Sequence, residues 1–176
     1  MSTAPIRTDG PSRDEALTID ALRREGFDAF VTFAALRSNP SAIAAAAGVY
    51  VVLRRSTEAP SFLETSCGGH FKGRNPTARV DALERKWVPT AQVVYIGKGD
   101  RLQRRLRQYA DFGASHPVGH WGGRYVWQLA DSDQLLVAWK TCGAGETAAE
   151  LEAALVGRFK RAFGRLPFAN IADPSK

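Results

Sequence analysis

The chain predicts an α+β domain: a small, mostly antiparallel sheet of three or four strands flanked by α-helices. Three observations carry this. Short runs rich in β-branched and aromatic residues recur at 48–55, 92–97, 124–130 and 134–141. A basic helix, 100–110, follows the second run, and a strongly amphipathic one, 148–163, follows the fourth. The element order is helix, strand, strand, helix, hairpin, helix. That is the pattern of an antiparallel sheet with helices packed on it rather than of alternating βα units.

The bulk properties bound the answer. At 176 residues with 44% hydrophobic content, the chain can build one well-filled core. The net charge is +6 and the isoelectric point about 9.7. Residues 1–47 carry five basic and six acidic side chains, leaving nineteen basic and twelve acidic in 48–176. The positive field therefore belongs to the later part, and it suits a polyanionic partner. Cys67 and Cys142 have no CxxC spacing, which excludes a disulfide framework or a four-ligand zinc site. The longest apolar run, 42–53, is too short to span a bilayer. A cytoplasmic protein without membrane association is the expectation.

Along the chain, DEALTIDALRRE (14–25) reads as a helix stopped by Gly26. Residues 27–36, with Phe27, Phe30 and Phe33, read as a short buried helix or irregular core plug. Residues 1–47 are thus expected as a helical extension packed on a main domain, 48–171. GVYVVLRR (48–55) is the first strand. Residues 56–91 are polar and broken by Pro60, Gly68, Gly69, Gly73 and Pro76, and read as a long insertion loop. QVVYIG (92–97) is the second strand, followed by a helix with Asp100 as N-cap. Residues 111–123 read as loop. RYVWQLA and QLLVAWKT read as a hairpin joined by Asp-Ser-Asp. Ala148 to Phe163 is the last helix, and GRLPFANI (164–171) closes the domain.

The stretch VVYIGKGDRLQRRLRQY (93–109) carries the chemistry. A strand, Gly97, Gly99 and a helix start together make a generic anion site, with free amide groups and a positive helix end. Lys98 sits in the corner and four arginines follow. Arg101, Arg104 and Arg105 lie near one helix face, while Leu102, Leu106 and Tyr109 form the buried face. A solvated basic helix is the plain alternative. In the last helix, Glu152 stands on the stripe of Leu155, Val156, Phe159 and Phe163, where an acid is either functional or an ordinary first-turn residue complementing the helix dipole. Glu150 lies on a more exposed face. Trp121, Trp127 and Trp139 read as core packing, with base stacking the sharper alternative. His116 and His120 read as solvated loop histidines, with a place near the site the alternative for either. Cys67 with His70 supplies too few ligands for a metal.

Gly48-Val49-Tyr50 on one strand, Tyr95-Ile96-Gly97 on the next, an arginine eight residues beyond Gly97, and a closing Glu…Pro…Asn pattern resemble the GIY-YIG endonuclease family. The resemblance covers roughly 48–171 and implies a GIY-YIG nuclease-like fold with metal-dependent hydrolysis of DNA phosphodiesters. It implies that Tyr50 acts as general base on water or orients it, and that Tyr95 hydrogen-bonds at the scissile phosphate. Lys98 would lower a tyrosine pKa or hold phosphate, and Arg105 would contact the scissile phosphate. Gly48, Gly97, Tyr109 and Asn170 would support the site. Glu152 would hold one divalent ion, Mg2+ or Mn2+, with Glu150 as the alternative ligand. DNA, double-stranded or structured, is the implied partner, with Arg101 and Arg104 as nucleic-acid contacts. Lys72 and Arg74 belong to the insertion the family lacks, which reads as a further nucleic-acid contact or equally as a lid or partner surface.

The chain departs from the family in its insertion of about 40 residues between the motif strands and in the hairpin expected at 124–141. Two further readings stand beside the nuclease. One is a non-catalytic nucleic-acid-binding module of a repair, restriction or mobile-element system. The other is a small-molecule phosphate binder using the 97–101 corner.

Overall fold

The computed structural model of the chain describes residues 17–174. Four strands form one antiparallel sheet: β1 (Asp28–Thr32), β2 (Gly48–Leu53), β3 (Val93–Gly99) and β4 (Leu136–Thr141), in the order β1-β4-β2-β3. Helices α1 (Ile19–Arg24), α2 (Phe33–Ser38), α3 (Val80–Lys86), α4 (Leu102–Gly113) and α5 (Ala148–Phe163) complete the α+β fold. Among the described residues no helix is long and apolar enough to cross a membrane.

Strand β2 is central, and all six of its residues are buried. Successive strand side chains point to opposite faces. Tyr50 and Val52 join α2, α4 and the aromatics Tyr109, Phe112 and Trp127 in one core. Val49, Val51 and Leu53 join Leu22, Val156 and Phe159 in the other. The sheet is thus the middle of three layers. Amphipathic α5 forms as expected over 148–163, started by a Thr147–Glu150 capping box and ended by Gly164 at φ 70°.

Several sequence expectations are corrected. Residues 27–36 are not one buried helix. They divide into edge strand β1, with a bulge and positive φ at Ala29 and Phe30, and helix α2 capped by Thr32. The N-terminal segment therefore adds a strand to the sheet. The hairpin at 124–141 is absent, and 124–128 is a 3-10 helix. Both edges of β4 are already taken by β1 and β2, so no adjacent strand can pair there. Instead the fully buried Gln128 side chain donates to the Leu63 and Ala78 carbonyls and accepts from the Ala78 amide, tying 124–128 to the insertion. The insertion itself is anchored. It contains α3, and Arg54 at its root pairs with Asp131 at 2.6 Å.

Helix α4 starts at Leu102 and runs to Gly113, so Asp100 is not its N-cap. The Leu102 and Gln103 amides donate to the Ala46 and Ala44 carbonyls at 2.9 and 3.2 Å. These first-turn groups are spent on the chain itself, and the generic anion site read at this helix start loses them. An anion here relies on side chains in place of those two amides.

Candidate active site

Edge strand β3 distributes the site residues on both faces of the sheet. Tyr95 and Gly97 pair with Val52 and Tyr50 and share the α4 side, whereas Ile96 and Lys98 pair with Val51 and Val49 and share the α5 side. Arg105 approaches from α4 and Glu152 from α5. All these side chains gather around the open end of one strand.

The glycines make that convergence possible. Gly97 lies directly opposite Tyr50, and a Cβ there would come within 2.6 Å of the Tyr50 ring and hydroxyl. A Cβ at Gly99 would stand 2.9 Å from Arg105 Cβ. A Cβ at Gly48 would meet the Lys140 carbonyl at 2.2 Å. The first two open room for Tyr50 and Arg105; the third lets β2 and β4 close up.

A cleft of about 350 Å³ is lined by Tyr95, Lys98, Arg101, Arg104, Arg105 and Glu152, with Gly99 and Asp100. Lys98 Nζ lies 2.5 Å from Glu152 Oε2, with the Glu152 side chain 12% exposed. A second cleft, about 460 Å³, shares Tyr95, Lys98 and Glu152 with the first. A larger groove of about 640 Å³ lies between β1, α2 and the end of β4, but Asp28 is its one ionisable side chain. The concentration of charge selects the first cleft.

Behind it stands an aromatic network. Tyr95 is 6% exposed and lines both clefts; Tyr50 is fully buried and lines neither. Tyr50 Oη lies 3.3 Å from His120 Nε2, and the His120 ring stacks on Tyr109 at 3.7 Å. Tyr109 donates to the Gly123 carbonyl at 2.8 Å. Burial pushes the Tyr50 phenol well above its ordinary value and raises that of Tyr95 as well. The cation that opposes both shifts is Arg105. Lys98, expected to act on a tyrosine, is engaged by Glu152 instead.

No family model, curated protein or solved structure matches this chain. The residues themselves therefore carry the functional reading.

Asn170 closes the site from behind. Its side chain accepts from the Ile96 amide at 3.0 Å and donates to the Ile96 carbonyl at 2.9 Å. Glu150 and Glu152, alternatives in the sequence, occupy different places. The Glu150 carboxylate is taken up in the capping box, accepting from the Thr147 amide and hydroxyl at 3.1 and 2.7 Å. Glu152 alone of the two lines the cleft. Among the described residues no group of three or more His, Cys, Asp or Glu comes together. One carboxylate facing a cleft fits Mg2+ or Mn2+, which commonly take few protein ligands, through the oxygen that Lys98 does not engage.

Of the expected nucleic-acid contacts, Arg101 and Arg104 line the cleft. Arg74 lines neither cleft; its guanidinium lies 5.3 Å from the ring centre of Trp121, which walls the second. Lys72 lies over Phe71 and lines neither cleft.

His120 is the residue whose preferred sequence reading is overturned. It is fully buried, not solvated. Its neighbours Gly119, Gly122 and Gly123, which let a loop fold inward, were the available signal. Burial first, and Arg105 second, hold its imidazole well below the usual value. The unfolded chain accepts a proton at His120 near pH 6.5 that the folded chain refuses, so folding stability falls as pH drops below about 6.5. The slope from this one group reaches about 1.4 kcal/mol per pH unit. His120→Phe is expected to flatten it, as checked by urea unfolding between pH 5.5 and 7.5; an unchanged slope would place the acid sensitivity elsewhere.

Proposed function

We propose that the chain is a cytoplasmic, divalent-metal-dependent DNA endonuclease of the GIY-YIG type, hydrolysing phosphodiester bonds in this cleft. The supporting observation is the meeting of Tyr95, Lys98, Arg105 and Glu152 from three elements around one strand end. A phosphate clamp, a hydroxyl donor and a hard carboxylate are what phosphodiester hydrolysis needs together.

The residues divide the work by their chemistry. The Arg105 guanidinium presents a planar fork to phosphoryl oxygens, a match that lysine lacks. Arg101 and Arg104, both exposed, take flanking phosphates. Tyr95 is the phenol that reaches the cleft, and its raised pKa keeps it protonated at neutral pH. It therefore serves as a hydrogen-bond donor to the phosphate. Tyr50, more strongly shifted and fully buried, orients Tyr95 rather than removing a proton itself. Lys98 holds Glu152 in place and adds positive charge beside the phosphate. Glu152 would hold Mg2+ or Mn2+, which when bound supplies Lewis-acid charge at the phosphoryl group.

Glu152→Gln keeps the shape of the side chain but removes its charge. Cleavage of supercoiled plasmid in Mg2+ or Mn2+ is expected to fall by about 100-fold, a magnitude typical for loss of one electrostatic group at a reacting centre. EDTA is expected to abolish it in the wild type. Cleavage that survives both changes would remove the metal and Glu152 from the mechanism. A non-catalytic nucleic-acid-binding module is favoured instead if folded wild type binds DNA with strong salt dependence yet never cuts.

A further inference from the structure

The second cleft is chemically unlike the first. Its volume is about 460 Å³, and besides Tyr95, Lys98 and Glu152 it is walled by Trp121, Gly122 and Ile171. Ile171 is 41% exposed, one of two exposed large hydrophobic side chains among the described residues. Trp121 is half-buried, unlike Trp127 and Trp139, which are core residues at 3% and 7% exposure. An indole and an aliphatic side chain left beside a basic cleft are not needed to hold phosphate.

The surroundings of Trp121 add charge. The Arg124 guanidinium lies 4.6 Å from its ring centre and that of Arg74 5.3 Å. Arg124 is itself tied to the Trp121 carbonyl and the Tyr125 hydroxyl, at 3.4 and 3.2 Å. The indole is thus held by a neighbour that is anchored in turn. Arg74 comes from the insertion between the motif strands; the insertion does not line this cleft but reaches the indole that does.

We propose that this cleft is a subsite for one unpaired nucleobase of DNA, packed against Trp121 and Ile171 beside the phosphate held at Arg105. The inference rests on the phosphate-clamp reading of the neighbouring cleft. Aromatic side chains stack on bases of any sequence, because every base has a π-face. In an intact duplex the base faces are covered by their neighbours, and only base edges reach the grooves. An apolar wall adjoining the scissile phosphate is therefore useful only where a base is free. The substrate it selects is a flap, a bubble or an overhang, not continuous duplex.

The test is equilibrium binding in EDTA at fixed salt, read by anisotropy of a labelled 20-nucleotide strand. Three probes are compared: the strand, its duplex, and the same strand with central abasic sites. The single strand is expected to bind tighter than the duplex and to lose about tenfold on removal of the bases. Trp121→Ala is expected to cause a similar loss for the single strand, while Trp121→Phe retains most of the affinity, with circular dichroism confirming that both fold. Equal affinity for the abasic strand, or equal losses on strand and duplex in Trp121→Ala, would overturn the subsite. The two proposals fail separately. Duplex plasmid cleavage without base-dependent binding would overturn the subsite and leave the nuclease. Base-dependent binding without cleavage in any metal would leave the subsite and overturn the nuclease.

Discussion

Arg105→Ala is expected to lower cleavage of supercoiled plasmid by roughly 1000-fold, the scale on which a single arginine acts on a phosphoryl group. Three structural facts place that weight on Arg105 rather than on its basic neighbours. Its stem is seated against Gly99, where a Cβ would stand 2.9 Å away, so its path into the cleft is defined. Its guanidinium donates to the Gly119 carbonyl at 3.3 Å and faces the Tyr50 and Tyr95 hydroxyls, so the fork is aimed at the phenols beside the cleft. It is half-buried, so its charge is less screened than those of Arg101 and Arg104, which are exposed. Replacing either of those two is expected to weaken binding and its salt dependence more than turnover. Arg105→Lys is expected to restore little, because an ammonium cannot reproduce the planar fork. The measurement is the rate of nicking under saturating protein, beside a thermal melt showing that each variant folds. Wild-type cleavage by Arg105→Ala would move the clamp to another side chain and overturn the proposed mechanism.

Asn170→Ala is expected to destabilise the fold by about 3 kcal/mol, as two buried backbone groups lose their partners. The cause lies in the sheet order. Strand β3 is an edge, and Ile96 directs its amide and carbonyl away from β2. The Asn170 carboxamide supplies one acceptor and one donor to them, as a neighbouring strand would. The Ala169 amide extends the pairing by donating to the Val94 carbonyl at 2.8 Å. Asn170→Asp keeps the acceptor for the Ile96 amide but faces the carbonyl with a carboxylate oxygen, so it is expected to be no better than alanine. Urea unfolding measures the loss. Cleavage is expected to fall as well, because Tyr95 and Lys98 flank Ile96 and lose their alignment with it. A variant as stable as wild type would show that water satisfies the strand edge and that Asn170 is dispensable there.

The local rules of the chain were legible in its sequence. Strand β2 and the last helix appear where β-branched runs and 3.6-residue spacing put them; the first helix ends before Gly26 at φ 83° but starts only at Ile19, with 14–16 outside the described residues. Leu102, Leu106 and Tyr109 are buried and Arg101 and Arg104 exposed, as a helical period requires. The site residues Tyr95, Lys98, Arg105 and Glu152 were named through the family resemblance of their motifs, and one cleft gathers them.

Tertiary structure decided what depends on partners far along the chain. Residues 28–32 are a strand because β4 offers them an edge, and 124–128 are not because β4 has no edge left. Propensity cannot report such occupancy. The same holds for function. Glu152 and Glu150 are two positions apart: a capping box local to 147–150 takes up Glu150, whereas Glu152 meets the cleft only because α5 packs against β3. His120 and Trp121 are neighbours in sequence, yet one is fully buried beneath Tyr50 and the other walls the second cleft. Side-chain type sets what a residue can do chemically; burial and long-range contact decide whether it faces a ligand or the core.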